Sequence, residues 1–445
     1  MKKYLSFLLV VLTLLSVFCL TPVQASAAEF NIDFETSCTA LYLENIDTET
    51  VVYQKNADMR RYPASTTKIM TYIVTAEHVK DMKKTNIKIK SSVLHQLDNT
   101  GSSLSGIMAD ETLSIYQLLH CLMIPSGNDA ALILADYIGE GSTERFVQMM
   151  NDKAKELGCQ NTHFANPHGL NDPNHYTTVH DMAIIAKYAL TLPYFLEITD
   201  TTTSDIIGED RYLVTTNWLI DAYRGGEKYY YPYAHGIKTG VTGNDSGYCL
   251  VSTATKGGYT YLCVAFGAPY EDENGEQYEN GAMLDSIHLY DWAFDNLSIK
   301  TIIDKNDLVK GINLRFAWNK DTLQLSPAQS YATILPDEVA ISSIDREYHL
   351  PDSVDAPVKA GDVIGSVTLS YANTELCTID LIASENVDRS ELLTSIDGIK
   401  NVVTSKWFLL SMAVIAFLVV IYFIVVMIYK RKKKTQRPVK KYRKF

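Results

Sequence analysis

The sequence of 445 residues predicts an α/β (α+β) chain with three parts: a helix-flanked sheet domain, a small all-β domain and one transmembrane helix. Three observations predict this arrangement. Alternating, strand-like segments stand at both ends of the region 40–297, with helical patterns between them. Short alternating runs broken by proline and glycine follow up to about residue 382. An uncharged stretch of 23 residues, 407–429, then stands near the carboxyl terminus.

The amino terminus predicts a Sec-type signal peptide over residues 1–27. Two lysines precede the apolar run 4–20, and the small residues Ala25-Ser26-Ala27 follow, which favours cleavage near Ala27 or Ala28. The alternative of lipid modification at Cys19 is disfavoured, because Phe18 is bulky where that signal requires a small residue. The mature protein is therefore expected to begin near Glu29.

The stretch 407–429 is long enough to cross a hydrocarbon core of about 30 Å at about 1.5 Å per helical residue. The tail 430–445 carries ten lysines and arginines and no acidic residue, which predicts a cytoplasmic tail and a domain portion outside the membrane. A buried core helix is the alternative. The purely basic tail argues against it.

Charge is distributed very unevenly. The whole chain has a formal charge of −12, but the tail and the signal peptide together hold 12 basic residues, which leaves 28 basic and 52 acidic residues, a net −24, outside them. Such a surface disfavours nucleic acid and anionic lipid as ligands and suits a cation-rich external layer. A solvated acidic surface without a partner is equally compatible with this charge.

Six cysteines remain after signal cleavage, and none has the spacing of a zinc site or a CxxC motif. A domain of this size is stable by burial alone, so scattered buried thiols are expected. Cys249 and Cys263, on two arms of an expected hairpin, are the one pair worth testing for a disulfide.

Hydrophobic patterns and capping residues place the elements in order. Segments 40–45 and 51–55 predict a first hairpin, and the segment after Ser65 is apolar nearly all round, which predicts a buried helix with Ser65 in its first turn. Capping boxes at Ser114/Gln117 and Thr178/Asp181 predict helices over 114–123 and 182–190. Further helices are expected over 129–138, 146–157 and 287–294, and strands over 236–241, 248–253, 259–266, 312–318, 332–335, 363–371 and 376–382.

Three short motifs carry the chemistry: Ser65-Thr66-Thr67-Lys68, Ser126-Gly127-Asn128 and Lys238-Thr239-Gly240. Residues three apart on a helix share one face, so Lys68 Nζ can reach Ser65 Oγ. A serine needs a base, and an ordinary lysine with a pKa of about 10.4 is protonated. The apolar helix and a second cation, Lys238, would lower that pKa, so we hypothesise that Lys68 is a neutral base.

Each motif alone is weak evidence, since Ser384-Glu385-Asn386 repeats the second pattern in the wrong region. Their joint order and their positions at a helix start, in a turn and on a strand are what carry weight. Together with their flanking residues they resemble D-alanyl-D-alanine carboxypeptidases, the low-molecular-mass penicillin-binding proteins among the penicillin-recognising serine peptidases. The flanking residues that match are 60–64, 125, 129–130, 161–164, 167–170 and 236–237.

The resemblance spans about 40–297 and extends weakly into 357–365, similar to the family's carboxy-terminal β domain. It implies a transpeptidase-like domain with a helix-flanked antiparallel sheet, and a pentapeptide stem of peptidoglycan ending in D-Ala-D-Ala as the substrate. Penicillins would be inhibitors, and no metal or organic cofactor is implied. Two departures are Thr66, where the family usually has an apolar residue, and a full membrane span in place of an amphipathic anchor.

By the same resemblance each site residue has an expected role. Ser65 forms the acyl-enzyme with Lys68 as base, and Ser126 relays a proton to the leaving amine. Asn128 binds a substrate amide, and Lys238 with Thr239 meets the terminal carboxylate. Gly240 leaves room for the substrate backbone, and the N–H of Val241 joins the helix start in an oxyanion hole.

The expected domain boundaries are 1–27 (signal peptide), 28–298 (catalytic domain), 299–390 (β-rich domain), 391–406 (linker), 407–429 (transmembrane helix) and 430–445 (tail). The β-rich domain is hypothesised to be a spacer that lifts the site off the membrane. A β-lactamase and a DD-transpeptidase using the same site remain alternatives, as does a wall-binding protein without catalysis.

Several other residues suggest functions that we expect not to apply. Four histidines, at 163, 168, 175 and 180, could suggest a metal, but no HExxH helix supports one, and loop or cap positions are favoured. The tyrosine-rich segment 229–233 could line the substrate groove, although core packing is at least as well supported. Glu156 lacks the context of a deacylating glutamate and is expected at the surface.

Overall fold

The computed structural model describes residues 30–372 and 374–435. The predicted signal peptide and the last ten residues of the predicted tail lie outside these residues. Two compact units are present. Among the described residues, the first comprises 30–302 together with 332–344, 371–372 and 374, and the second comprises 303–331, 345–370 and 375–435.

The strands and helices are numbered in chain order. The strands are β1 Ala40–Asn45, β2 Thr50–Lys55, β3 Asn86–Lys88, β4 Thr112–Ser114, β5 Thr203–Ser204, β6 Leu213–Val214, β7 Ala234–Gly240, β8 Tyr248–Lys256, β9 Tyr259–Ala268, β10 Leu297–Ile303, β11 Lys310–Arg315, β12 Thr322–Pro327, β13 Tyr331–Pro336, β14 Asp345–His349, β15 Ser353–Asp355, β16 Val363–Tyr371 and β17 Thr374–Ala383. The α-helices are α1 Lys68–His78, α2 Ser91–Leu94, α3 Ile115–Met123, α4 Asn128–Ile138, α5 Thr143–Glu156, α6 Val179–Leu190, α7 Phe195–Thr199, α8 Ala222–Tyr229, α9 Gly281–Asn296, α10 Glu391–Thr404 and α11 Lys406–Thr435.

The first unit is built on a five-stranded antiparallel sheet with the order β2-β1-β9-β8-β7. The hairpin predicted near the amino terminus is present as β1 and β2, and the predicted strands of the 236–266 region are present as β7, β8 and β9. The sheet therefore combines strands from both ends of the region, as the sequence predicts. Strand β7 lies at the free edge, with β8 as its one neighbour in the sheet.

Side chains on alternate positions of the central strands enter two different hydrophobic cores, because successive residues of a strand point to opposite faces. Ala40 and Tyr42 pack with helices α1 and α3 to α6 on one face. Leu41 and Leu43 pack with helix α9 on the other. Strand β9 repeats the pattern, and burial of both faces explains why the strand sequences are apolar almost throughout.

The segment predicted as one helix starting at Ser65 divides into two parts. A 3₁₀ turn covers Ala64–Thr67, and the α-helix α1 begins at Lys68. The prediction that Ser65 lies in the first turn of the α-helix was therefore wrong in detail. The hydroxyls of Thr66 and Thr67 donate to the carbonyls of Pro63 and Ala64 at 2.7 Å, which holds the tighter turn.

The two predicted capping boxes differ in outcome. Ser114 and Gln117 form both reciprocal hydrogen bonds at the start of α3, as expected. Thr178 caps α6 by accepting from the N–H of Asp181, but the carboxylate of Asp181 does not return the bond. It accepts instead from the N–H groups of Gln160 and Asn161 and from the hydroxyl of Thr162, at 2.7 to 3.2 Å. A tertiary contact has replaced the local one.

The second unit contains a six-stranded sheet with the order β14-β16-β17-β12-β11-β15. Its buried side chains alternate with half-buried or exposed ones, for example Val367 and Leu369 on β16 and Leu381 and Ala383 on β17. The predicted strand 332–335 is present as β13, and it pairs with β10 in a separate two-stranded sheet.

The segment 391–406, expected as a linker, is mostly helical, since α10 covers Glu391–Thr404. The following helix, α11, contains the predicted membrane segment. Residues Lys406–Arg431 have a mean hydropathy of 3.0 and are long and apolar enough to span a membrane.

The six described cysteines are free thiols. Cys249 lies opposite Phe266 in the β8–β9 pairing, and Cys263 lies opposite Ser252, so the two cysteines are not cross-strand partners. The expected free thiols are therefore observed, and Cys249 and Cys263 form no disulfide.

Candidate active site

A cleft of about 520 Å³ runs along the free edge of β7 in the first unit. All three motifs contribute to its wall, through Ser65, Ser126 and the segment Thr239 to Val241. The remaining lining residues are Ser103, Thr216, Trp218, Tyr229, Tyr248, Gln277, Tyr278, Glu279, Asn280 and Met283. Motifs that begin 61 and 112 residues apart in the sequence therefore meet in one depression.

Lys68 stands at the centre of the polar contacts in this cleft. Its Nζ lies 3.0 Å from Ser65 Oγ, 2.6 Å from Asn128 Oδ1 and 2.7 Å from the carbonyl oxygen of His168. The lysine side chain is fully buried, whereas Ser65 is partly accessible from the cleft. The contact to Ser65 that the helical spacing predicts is present, and the structure adds two carbonyl acceptors.

The environment disfavours a charge on Lys68. Burial lowers the pKa of Lys68 well below its usual value, and the nearby positive charge of Lys238 lowers it further, while Asp129 acts in the opposite direction. Burial also lowers the pKa of Lys238, to about 7. The two effects that the sequence predicts for Lys68, burial and a neighbouring positive charge, are thus both present, and burial lowers the pKa more.

Ser126 lies in the turn between α3 and α4 with a φ of +64°, a conformation rare for residues other than glycine. Its hydroxyl is buried and has no hydrogen-bond partner among the described residues. The turn is held by Asp129, whose carboxylate accepts from the N–H and the hydroxyl of Ser105 at 2.6 to 3.1 Å. A strained backbone and an unpaired buried hydroxyl in a cleft are features of functional sites.

The third motif lies on the edge strand β7. Lys238 is buried and its Nζ donates to the carbonyl of Thr239 at 3.1 Å. The hydroxyl of Thr239 is hydrogen-bonded to that of Thr216. Val241, the next residue beyond the strand, is exposed towards the cleft.

Two glycines allow the backbone of Ser65 to be approached closely. A methyl group at Gly240 would lie 3.0 Å from the nitrogen of Ser65. A methyl group at Gly169, which has a φ of +95°, would lie 1.9 Å from the carbonyl oxygen of Ala64 and 3.0 Å from the same nitrogen. The turn that carries Ser65 is therefore held between β7 and the loop at 169.

We expect Gly169→Ala to slow acylation of Ser65 by a labelled penicillin by roughly 10- to 100-fold, because the Ala64–Ser65 backbone must move. Gly158→Ala is the matched control, since Gly158 has a φ of +91° but open space around it. Both variants should lose about 1 to 2 kcal/mol of stability from the left-handed backbone. Equal acylation rates in the two variants would show that the close contact at Gly169 does not position Ser65.

Sequence reasoning missed several parts of the site. The segment 167–170 matches the family, but no contact between the carbonyl of His168 and Lys68 was predicted, and the hydroxyl of Thr216 has no sequence signal; both groups come from loops far from the motifs. Asp129 directly follows the second motif but carries no spacing rule. His175 is buried, and its Nε2 lies 2.7 Å from the hydroxyl of Thr67, which connects it to the turn of Ser65.

The other residues considered from sequence occupy varied positions. Tyr229 lines the cleft, whereas Tyr231 is buried with its hydroxyl donating to Asp291 at 2.8 Å, so the tyrosine-rich segment serves both groove and core. Glu156 ends α5 at the surface, paired with Lys153. In the described part of the chain no group of three or more His, Cys, Asp and Glu residues is arranged to hold a metal ion.

The helix-flanked antiparallel sheet, with a serine, a buried lysine and a Lys-Thr-Gly strand at its free edge, defines an active-site serine enzyme of the penicillin-binding class. Residues 25–270 match the family described as D-alanyl-D-alanine carboxypeptidase, and residues 298–389 match that described as penicillin-binding protein 5, C-terminal domain. The chain belongs to the D-alanyl-D-alanine carboxypeptidase family, so it is a serine peptidase, as the resemblance implies.

Relatives of known name cover both parts of the chain. The D-alanyl-D-alanine carboxypeptidase DacF of Bacillus subtilis is 30% identical over 398 residues, which cover 88% of this chain and 97% of the relative. The crystal structure of penicillin-binding protein 5 from Haemophilus influenzae has a TM-score of 0.64 at 24% identity and covers 81% of this chain and 100% of its own. The Streptomyces K15 DD-transpeptidase structure has a TM-score of 0.52 at 29% identity, with 60% and 100% covered.

Proposed function

We propose that this chain is a D-Ala-D-Ala carboxypeptidase that removes the terminal D-alanine from peptidoglycan pentapeptide stems through an acyl-enzyme on Ser65. The observation that carries the assignment of residues is the set of three contacts around Lys68 Nζ. A neutral lysine amine has two N–H donors and one lone pair. The two carbonyl oxygens, of Asn128 and His168, only accept, so they take both donors. The lone pair then faces Ser65 Oγ at 3.0 Å.

In the proposed first step Ser65 Oγ attacks the carbonyl carbon of the penultimate D-alanine while its proton passes to Lys68 Nζ. The C–N bond to the last D-alanine breaks, and that nitrogen receives a proton by way of Ser126. In the second step water attacks the ester, the tetrapeptide leaves, and Ser65 regains its proton. The buried, unpaired hydroxyl of Ser126 supports its role as the proton relay.

The remaining motif residues are proposed to bind the substrate. The free edge of β7 offers backbone groups to an extended peptide, which would add as a further strand. Val241 N–H and Ser65 N–H would hold the oxyanion, and the absent side chain of Gly240 keeps them close. Lys238 with Thr239 would meet the terminal carboxylate, and Asn128 would offer its amide N–H₂ to a substrate carbonyl, because its oxygen is bonded to Lys68.

Penicillins are proposed to acylate the same serine and to remain attached. A β-lactamase would need a residue that activates water for fast deacylation. Glu156 does not lie in the cleft lining, which argues against that role. Transfer of the acyl group to an amine is a second candidate activity, because the Streptomyces K15 structure that shares this fold and 29% identity is named a DD-transpeptidase.

The domain boundaries given above are part of this proposal, including export by the signal peptide and anchoring by residues 407–429. The long apolar helix Lys406–Arg431 supports the anchor. The basic residues after it support a cytoplasmic tail with the catalytic domain outside the cell. The β-rich domain is proposed to act as a spacer. If deletion of residues 297–401 left trimming of the wall in cells unchanged, this spacer role would be contradicted.

The test of function is an assay of the full-length chain in detergent with three reagents. We expect release of D-alanine from a peptide ending in D-Ala-D-Ala, and slow loss of label after acylation by a fluorescent penicillin. When an amine acceptor is added, most acyl groups should still be transferred to water. Rapid turnover of penicillin would indicate a β-lactamase, and predominant amine product a transpeptidase. The absence of both label and D-alanine would contradict the enzymatic assignment.

A further inference from the structure

A second cavity, of about 550 Å³, lies in the first unit and shares no lining residue with the cleft. Its wall is polar and combines two neighbouring arginines with one acidic residue. The lining residues are Arg60, Arg61, Tyr62, Pro173, Asn174, Tyr176 and Asp245.

Arg61 is fixed in this wall but lacks a partner for its charge. Its backbone N–H and C=O exchange hydrogen bonds with Thr177 at 2.8 and 3.0 Å. Its guanidinium packs so closely on Gly267 that a methyl group there would lie 2.7 Å from Nη2. The Nε atom is buried and has no hydrogen-bond partner among the described residues. A buried donor of a charged group without a partner is unfavourable, and within the described residues no carboxylate compensates the charge of this guanidinium.

Arg60 adds a second cation at the same wall. Its guanidinium lies 4.4 Å from the centre of the Tyr176 ring and donates to the side-chain oxygen of Asn161 at 3.2 Å. In the described residues neither arginine forms an ion pair, whereas Arg145, Arg211 and Arg315 each pair with a carboxylate. Two such cations in one concavity favour the binding of an anion, on a chain that is otherwise strongly acidic.

The acidic member of the wall does not neutralise them. Asp245 Oδ2 accepts from Asn171 Nδ2 at 2.7 Å, and the oxygen of the same Asn171 side chain accepts from the hydroxyl of Thr242 at 2.7 Å. Thr242 directly follows Val241 at the end of the cleft strand. The rim of the second cavity is therefore joined by two hydrogen bonds to the residue at which an extended substrate would leave the cleft.

We propose that this cavity binds a carboxylate of the peptidoglycan stem on the acyl side of the scissile bond, held by the guanidinium groups of Arg61 and Arg60. The proposal rests on the proposed function. A planar guanidinium matches a carboxylate with two parallel hydrogen bonds, and the Nη groups of Arg61 would be the two donors. The stem supplies such a group, since its γ-linked glutamate leaves an α-carboxylate free. The site would thus distinguish a stem with that carboxylate from one in which it is an amide.

The experiment compares two peptides ending in D-Ala-D-Ala that differ in one group, a free α-carboxylate or an amide on the γ-linked D-glutamate. With the full-length chain in detergent, we expect kcat/KM to be about tenfold higher for the carboxylate peptide. Arg61→Gln should remove this preference by lowering the value for the carboxylate peptide alone. Arg60→Gln is the second variant, because its exposed side chain makes misfolding a minor concern. Arg145→Gln, which breaks an exposed ion pair elsewhere, should keep the preference.

Labelled penicillin separates this proposal from the proposed function, because it reports Ser65 acylation without a glutamate group. Normal labelling of the arginine variants together with loss of the preference supports the carboxylate site. Equal rates for the two peptides in the wild type, or a preference that survives both arginine changes, would overturn it. Competition by a glycerol phosphate oligomer in the wild type but not in Arg61→Gln, without any carboxylate preference, would assign the cavity to a phosphate and also overturn it.

Discussion

Replacement of Ser65 by alanine is expected to abolish both covalent labelling by penicillin and release of D-alanine. The hydroxyl that Lys68 Nζ contacts at 3.0 Å is the atom to which the acyl group would be transferred, so its removal leaves no covalent route. Loss of a nucleophile that acts as a unit with its base reduces turnover by about 10⁴-fold or more. The measurement is the initial rate of D-alanine release, with fluorescent labelling followed on a gel.

A reduction in rate is informative only if the variant folds. Ser65 is partly accessible and its hydroxyl contacts Lys68 alone among the described side chains, so Ser65→Ala should unfold within a few degrees of the wild type. Ser384→Ala, in the second Ser-x-Asn string, is the control and should retain full activity. Residual labelling in Ser65→Ala at the wild-type rate would show that another nucleophile carries the acyl group.

Replacement of Lys68 by glutamine is expected to lower the acylation rate by about 10² to 10⁴-fold, the usual contribution of a general base. A glutamine amide donates hydrogen bonds but cannot accept the serine proton. The substitution also weakens the hydrogen bonds that Lys68 donates to the carbonyls of Asn128 and His168. The unfolding temperature should therefore be measured alongside the acylation rate. Lys68→Arg, which keeps a positive charge and has no basic nitrogen near neutral pH, should show a similar loss.

The pH dependence gives an independent check on Lys68. Its pKa is lowered by burial and by Lys238, so the neutral, reactive form exists at a lower pH than for an ordinary lysine. The acylation rate should rise as pH increases through that lowered pKa, and it should fall again as Lys238, with a pKa of about 7, loses the charge that would meet the carboxylate. In Lys68→Gln this rise should disappear. Retention of both the rate and the rise in either variant would exclude Lys68 as the base.

The sequence predicted much of the fold because local rules apply where burial is simple. Strands β1, β8 and β9 are apolar on both faces, and the full capping box at Ser114 satisfies helix α3 without help from elsewhere. The predictions were less accurate where distant groups compete with local ones. The carboxylate of Asp181 accepts from the loop at 160–162 and does not complete its own cap. The turn of Ser65 is 3₁₀, held by the hydroxyls of Thr66 and Thr67 and packed closely against Gly169 and Gly240.

By itself the sequence determined the order of the three motifs and the long apolar segment, and it predicted Ser65 and Lys68 as the reactive pair, because each depends on residue type and on spacing within a few residues. Only the tertiary structure decided the protonation chemistry of Lys68. The two carbonyls that take its N–H donors come from positions 60 and 100 residues further along the chain. Desolvation of an amine is a property of the packed surroundings, and no short stretch of sequence contains those surroundings.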